Sequence, residues 1–429
     1  MLSLLDVSFN SLSGAISEKI GKSKLSIVFL SKNLLKEVPS TNHMSNLSYI
    51  QVIDLSSCNL GPRFPKWIQT LKNLTILNLF NTGISDTTPL EFWDMSPSQI
   101  AYMNLSSNDI SGIVPDLSSN FANGSIIDLS SNNFCGPIPN VSSTMSVLNL
   151  SRNKFSGGIS FICQIVGGLL SFLDLSHNSL TGQLPDCLWH FKDLRVLNLG
   201  HNNLFGRIPP SIGSLIELQV LYLYKNNFFG ELPLSLKNCT SLISLNLGAN
   251  KFSANVPVWI GENLSGLYVL ILRSNKFFGT IPLQSCQLAK LQIMDLSINN
   301  FHGTIPSCLS NLTGMVQQGF SQDVQFHIPY FSETYVDHAM IEWQGDERSK
   351  VPLVIGESEG DGEDVDELHI WFYVGGGIGF VTGFWIACGG LLLNRRGRHA
   401  FFHFYDSFRD WVYVKVVVFI SSLQKARQT

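Results

Sequence analysis

The chain is written in a period, and the period decides what it can fold into. Aligned on the pattern LxxLxLxxN it falls into thirteen units, whose Asn-equivalent positions are Asn10, Asn33, Cys58, Thr82, Asn108, Asn132, Asn153, Asn178, Asn202, Asn226, Asn250, Asn275 and Asn299, at steps of 21 to 26 residues. A unit this short cannot enclose a core alone, so it must share one with its neighbours. Alternating leucines such as Leu173 and Leu175 face inward from a short strand, and Asn178 at the following turn can bond backbone groups of adjacent coils. Stacking at strand spacing, about 5 Å, buries the leucines against one another and makes the whole array roughly 60 Å long. The expected fold over residues 1–313 is an α/β solenoid with short parallel strands.

After the Asn, most units continue to a Gly and then a Pro, as in Gly136 to Pro139, Gly206 to Pro209, Gly279 to Pro282 and Gly303 to Pro306. The extended text LxxLxLxxNxLxGxIP resembles the plant-type leucine-rich repeat of receptor kinases, receptor-like proteins and polygalacturonase inhibitors. That resemblance implies a leucine-rich-repeat horseshoe.

Cys163 and Cys187 lie ten and nine residues past their repeat Asn, and Cys286 and Cys308 eleven and nine past theirs. Equivalent places in adjacent coils, about 5 Å apart, suit a disulfide, so the pairs Cys163–Cys187 and Cys286–Cys308 are expected, with buried reduced thiols as the alternative. Nine NxS/T sequons, at Asn46, Asn73, Asn104, Asn123, Asn140, Asn149, Asn238, Asn263 and Asn311, precede the apolar segment described next, and none follows it. Repeat text writes some of them automatically, as at Asn104 and Asn149. Sugars and disulfides together favour an extracellular compartment.

Residues 371–393 (WFYVGGGIGFVTGFWIACGGLLL) are 23 in a row without a charge, long enough for one transmembrane helix. Trp371 and Tyr373 mark its entry and Arg395, Arg396 and Arg398 its exit, which puts the C-terminus in the cytoplasm at the plasma membrane. Gly375, Gly379, Gly383 and Ala387 recur every four residues and leave one face bare for a partner helix. Before the span, 357–370 reads as a solvated stalk, with seven acids within Glu357–Glu367. The 36 residues of 394–429 are too few for a kinase lobe, so signalling must be borrowed.

Residues 314–356 break the period, and Tyr335 to Gly345 (YVDHAMIEWQG) resembles the island motif of plant receptor-like proteins, with Gln344 where the family has Lys. The stalk, the glycine-rich span and the tail text of Arg398 to Val414 are similar to the same family. The resemblance implies a cell-surface receptor-like protein that binds an extracellular peptide, protein or glycan and signals, in plant defence, through a partner receptor kinase docked by the GxxxG helix. Met1 to Asn10 carries no secretory signal, the first coil starts mid-pattern without a cap, and the repeats usual between island and stalk are missing. These departures predict a truncated form and keep a non-signalling decoy or pseudogene product, or a developmental co-receptor, as alternatives. A secreted wall-enzyme inhibitor is disfavoured by the span.

The remaining classes fall on composition. A net charge of −4 lacks the basic excess that nucleic-acid binding requires. The ten His have no metal-ligand spacing and no nucleophile motif occurs, so neither enzyme activity nor a metal or cofactor is expected. Ligand contact is sought on the concave face, where Asp54, Asp128, Asp174 and Asp295 are default, structural text. Departures from that text nominate His201, Tyr222, Tyr224, Lys225, Ile271 and Arg273, a merely varied surface being the alternative.

Overall fold

The computed structural model describes residues 3–16, 24–36, 49–93, 100–118, 121–165 and 167–312, all within one compact unit, Met1–Asp337. The island, stalk, apolar segment and tail lie outside the described residues, and with them Asn46, Tyr335, Gln344, Gly345, Gly375, Gly379, Gly383 and Ala387. Among the described residues no helix is long and apolar enough to cross a membrane.

Thirteen strands, one from each repeat, form a single parallel sheet in strict chain order from Leu4–Asp6 to Ile293–Asp295. Register is held coil by coil: Leu173 lies opposite Leu148 on one side and Leu197 on the other. The inward leucines Leu197, Leu221, Leu245 and Leu270 are sealed to 0% exposure. Leu5 and Met294, on the first and last strands of the sheet, are only partly buried.

The repeat Asn ties each coil to the one before it. Asn202 Nδ2 donates to the carbonyls of Leu199 and Gly200 in its own turn and of Leu175 in the preceding coil, while its Oδ1 accepts from the Leu180 N–H. Asn226 and Asn250 repeat this set. The two exceptions find substitutes. Cys58 Sγ donates to the Leu30 carbonyl, and Thr82 Oγ1 to the Leu79 carbonyl. The residue before each of these positions adopts a left-handed φ near +55°, for instance His201 and Lys225.

Beyond the Asn the chain pairs again in a second, seven-stranded parallel sheet from Lys251–Phe252 to Ser111–Ile113. Its inward residues make a column that includes Phe134, Phe155, Phe228 and Phe252, all fully buried, and the buried Phe277 continues it past the sheet's edge, its ring stacked 6.1 Å from Phe252. Four of these strands end in a glycine of positive φ, Gly136, Gly157, Gly206 and Gly230, with +96° at Gly206, a region costly for other residues. A proline then opens a short 3-10 helix, as Pro233 does for Leu234–Asn238, so the limb opposite the main sheet is built mostly of 3-10 turns.

Two disulfides join neighbouring turns of that limb. Cys163 and Cys187 have Cα atoms 5.5 Å apart, and Cys286 and Cys308 5.7 Å. Cys58 and Cys239 are buried thiols; burial raises both, Cys239 to about 12, while Cys135 is exposed.

Replacing Asn202 by Ala strands the buried Leu180 N–H and takes one of two donors from the Leu175 carbonyl, which keeps Asn178 Nδ2. With one buried group left without a partner, the loss should be about 1–3 kcal/mol in urea unfolding. Asn10, exposed and, among the described residues, bonded to Val7 and Ser8 of its own turn, should lose under about 1 kcal/mol on the same change.

Candidate functional site

The outer face of the main sheet is a grid, because each coil contributes the same positions at the same height. In one column, the last residue of each strand, a side-chain oxygen accepts the backbone N–H two residues on: Asp54 from Ser56, Asp128 from Ser130, Asp174 from Ser176, Asn198 from Gly200, Asn246 from Gly248 and Asp295 from Ser297. These groups fasten their own turns. Phe29, Tyr222 and Ile271 stand in the same column and cannot make that bond, and the last two lie among the nominated residues.

Around these two positions the structure gathers the nominated residues. The His201 ring stacks on His177 of the preceding coil at 4.6 Å with planes 14° apart, and Tyr224 meets His177 edge-on at 6.1 Å. Tyr224 in turn meets Tyr222 edge-on at 6.3 Å. Its ring lies over Gly200, where a Cβ would collide with it, so glycine in place of the usual Ser at that position makes room for the aromatic. Lys225 is exposed beside them.

Tyr222 itself is only 7% exposed, with its hydroxyl 2.9 Å from Ser244 Oγ. It is a floor beneath Tyr224 rather than a free contact. Two coils on, Arg273 is half-buried, donates to Ser297 Oγ at 3.1 Å and lies 3.7 Å from Asp295 Oδ2. Ile271, Ile243 and Ile293 pack on Tyr268 and Val269 as an apolar cluster distinct from the main core. The sequence reading did not nominate His177, Gly200, Ile243 or Tyr268; comparing each column down all thirteen coils would have flagged them as departures.

The sequons divide by face. Asn73, Asn123, Asn140, Asn238 and Asn263 are exposed and lie outside the main strands. Asn104 differs from these: it is 6% exposed on its strand, with Nδ2 donating to the Tyr102 hydroxyl and Oδ1 accepting from Ser106. Asn149 is half-buried with Oδ1 bound to Ser151, and Asn311 lies in the last described 3-10 turn. From His177 to Arg273 the sheet face carries no sequon. Among the described residues no group of His, Cys, Asp or Glu could hold a metal ion.

The leucine-rich-repeat family model matches residues 169–191, 193–215, 217–239 and 290–312. Receptor-like protein EIX2 of Solanum lycopersicum is 40% identical over 148 residues, 34% of this chain and 14% of that protein. Receptor-like protein 35 of Arabidopsis thaliana is 39% identical over 154 residues, 34% of this chain and 16% of the relative. The matched stretch is thus under a fifth of either relative's length. Among solved structures, the Arabidopsis receptor kinase HAESA in complex with the peptide hormone IDA and the co-receptor SERK1 superposes with a TM-score of 0.65 at 29% identity, covering 73% of this chain and 52% of that one. PEPR1–AtPEP1 gives 0.63 at 28% identity, covering 73% and 44%.

The chain is therefore a leucine-rich-repeat protein with a parallel-stranded solenoid. Over the matched stretches it is similar to plant receptor-like proteins.

Burial raises the Asp128 carboxyl to about 6 against an ordinary 3.8, with bonds from Ser130 and Asn149 opposing the shift and the nearby Asp174 adding to it. A carboxyl raised in the folded state favours folding fully below its ordinary value, and that contribution is lost as pH rises from about 4 through about 6. Asn at this place keeps the turn bond, as Asn198 does. Asp128→Asn should therefore match the parent near pH 4 and exceed it by up to about 3 kcal/mol at pH 8, read from urea midpoints at each pH.

Proposed function

We propose that this chain is a cell-surface receptor-like protein whose solenoid binds an extracellular ligand on its concave sheet face. The observation that carries the reading is the patch spanning His177 to Arg273, where structural text is replaced by aromatic and cationic residues on a face free of sequons. Tyr and Arg are the residue types most often found at binding hot spots. The related HAESA structure is a complex with the peptide hormone IDA, which makes a peptide or protein ligand the natural class here.

The rest of the reading rests on sequence. Residues 371–393 anchor the chain in the plasma membrane with the repeats outside and the short tail inside. The row Gly375, Gly379, Gly383 and Ala387 then docks a leucine-rich-repeat receptor kinase that supplies the signalling the tail lacks. The setting is plant defence, and the repeat region binds without catalysis or cofactor.

Both halves are testable in plant cells expressing the tagged full chain. The glycosylated chain should shift on glycosidase treatment, and an unshifted band would count against secretion. Leucine at Gly379 and Gly383 should abolish co-precipitation of the partner kinase while leaving surface display intact; retained co-precipitation would remove the docking role from the helix.

A further inference from the structure

The flank formed by the second sheet, and by the strand Phe278–Gly279 beyond it, exposes apolar residues that the repeat does not require. The third residue past the repeat Asn is small and polar in several coils, Ser156, Thr181 and Ser253 among them, and is phenylalanine at Phe205, Phe229 and Phe278. These three are 44% or 45% exposed, whereas the residue before each, Leu204, Phe228 or Phe277, is fully buried, so the strand turns its second ring to solvent. Where the chain enters the next turn, the four coils that include these three expose Pro210, Leu234, Val258 and Leu283. An apolar patch of this kind on a folded surface marks a place of association. Sugars do not cover it. Between Lys154 and Leu283 the sequons are Asn238 and Asn263, and each is the last residue of its turn, at the opposite end from Leu234 and Val258.

A pair of opposite charges stands in the middle of the patch. Arg207 and Glu231 hold the same place in adjacent coils and are both exposed. The Arg207 side chain crosses onto the next coil, where a Cβ at Gly230 would come within 3.2 Å of its Nε. Among the described residues neither charge has an ion-pair partner.

Opposite charges one coil apart suit a two-fold contact, in which a surface meets its own copy turned round. An axis in the contact plane, passing between these two coils, sets Arg207 of one copy against Glu231 of the other and repeats the pair by symmetry. The rings of Phe205 and Phe229 from both copies then lie beside the charges. An axis passing through either coil would instead set Arg207 against Arg207 or Glu231 against Glu231, so charge selects the register.

We propose that this flank binds a second copy of the chain, in a symmetric dimer centred between the coils of Asn202 and Asn226. Six coils centred there, at about 4.8 Å each, and about eight residues of strand and turn at about 3.3 Å give roughly 750 Å² for each copy. A standard stable interface takes about 800 Å² from each partner. The phenylalanines supply the apolar centre, and the two charge pairs fix which coils meet.

The test uses the full chain purified in detergent, labelled in separate batches with a donor and an acceptor fluorophore. All forms carry Gly379→Leu with Gly383→Leu, which removes self-association through the apolar segment. Energy transfer is followed against protein concentration. Arg207→Glu makes the centre of the patch acidic and Glu231→Arg makes it basic, and thermal unfolding confirms that each variant is folded. Parent chains should show transfer. Each variant mixed with itself should associate about tenfold or more weakly, because one substitution creates two like-charge contacts per dimer. The acidic variant mixed with the basic one should regain the parent's affinity, since both contacts are again complementary. Phe229→Ser should weaken association in the parent and in that mixture alike.

No transfer between parent chains overturns the inference and leaves the patch to a different protein. Transfer that neither charge substitution weakens overturns it as well, because the copies then meet through another surface. An acidic and basic mixture that associates no better than either variant alone removes the Arg207 to Glu231 pairing, and the two-fold register with it.

Discussion

Everything in this molecule hangs on an amide placed where two coils meet. A coil of about two dozen residues cannot satisfy its own turn, and the Asn side chain does so with two donors and one acceptor: Asn250 reaches Leu247 and Gly248 in its own coil, Leu223 in the one before, and receives Phe228. Because the bonds run both within and between coils, a turn cannot form correctly unless its neighbour is in register. The same amide explains the left-handed residue that precedes it, since the backbone must reverse there to bring the amide inward. That reversal sends the preceding side chain outward. The ladder thus generates the rim on which Arg152, His177, His201 and Lys225 stand.

Where the ladder is interrupted, the neighbouring coils absorb the change. Thr82 is too short to reach as Asn does, and Asn108 compensates by accepting from the Thr82 N–H, the Thr82 hydroxyl and the Ile84 N–H together. Cys58 keeps only a thiol donor to Leu30. Both substitutions lie inside the stack, with an intact Asn33 or Asn108 beside them. A nearest-neighbour architecture can carry such local losses because each interface contributes its own share of stability.

The period, the parallel sheet and the half-buried turns were legible because they arise from contacts repeated in every unit. Leu173 and Leu197 look alike in the sequence and do the same thing in the structure. What the sequence could not show is how a departure packs, since that depends on residues about one coil away in the chain. Tyr222 looks like an exposed aromatic until Ser244, 22 residues on, takes its hydroxyl. Tyr224 needs Gly200, and neither position announces the other without the column between them. Asn104 reads as a sequon and packs as a structural amide, because its strand position decides its surroundings and its tripeptide does not. The phenylalanine column of the second sheet was missed for a related reason: Phe134, Phe155 and Phe228 share their place with Leu180 and Leu204, so no residue type marks it in every coil.

A chain with a net charge of −4 nevertheless presents cations on its candidate binding face, and the fold accounts for the inversion. The acids on the strand floor are used as turn fasteners, so their oxygens point to backbone N–H groups and their charge is sunk below the surface at Asp128 and Asp174. The cations occupy the outward rim positions, and seven of the chain's acids sit together in Glu357–Glu367, far along the sequence. The local placement of charge sets the potential of such a face, so net charge is a poor guide to what it attracts. Asp54, Asp128, Asp174 and Asp295 hold one column while Arg152 and Lys225 stand in another, and a change in a single column alters the surface potential without touching the leucines or the ladder. Recognition and stability are in this way written on separate positions of the same short unit, and a repeat surface can be respecified one coil at a time.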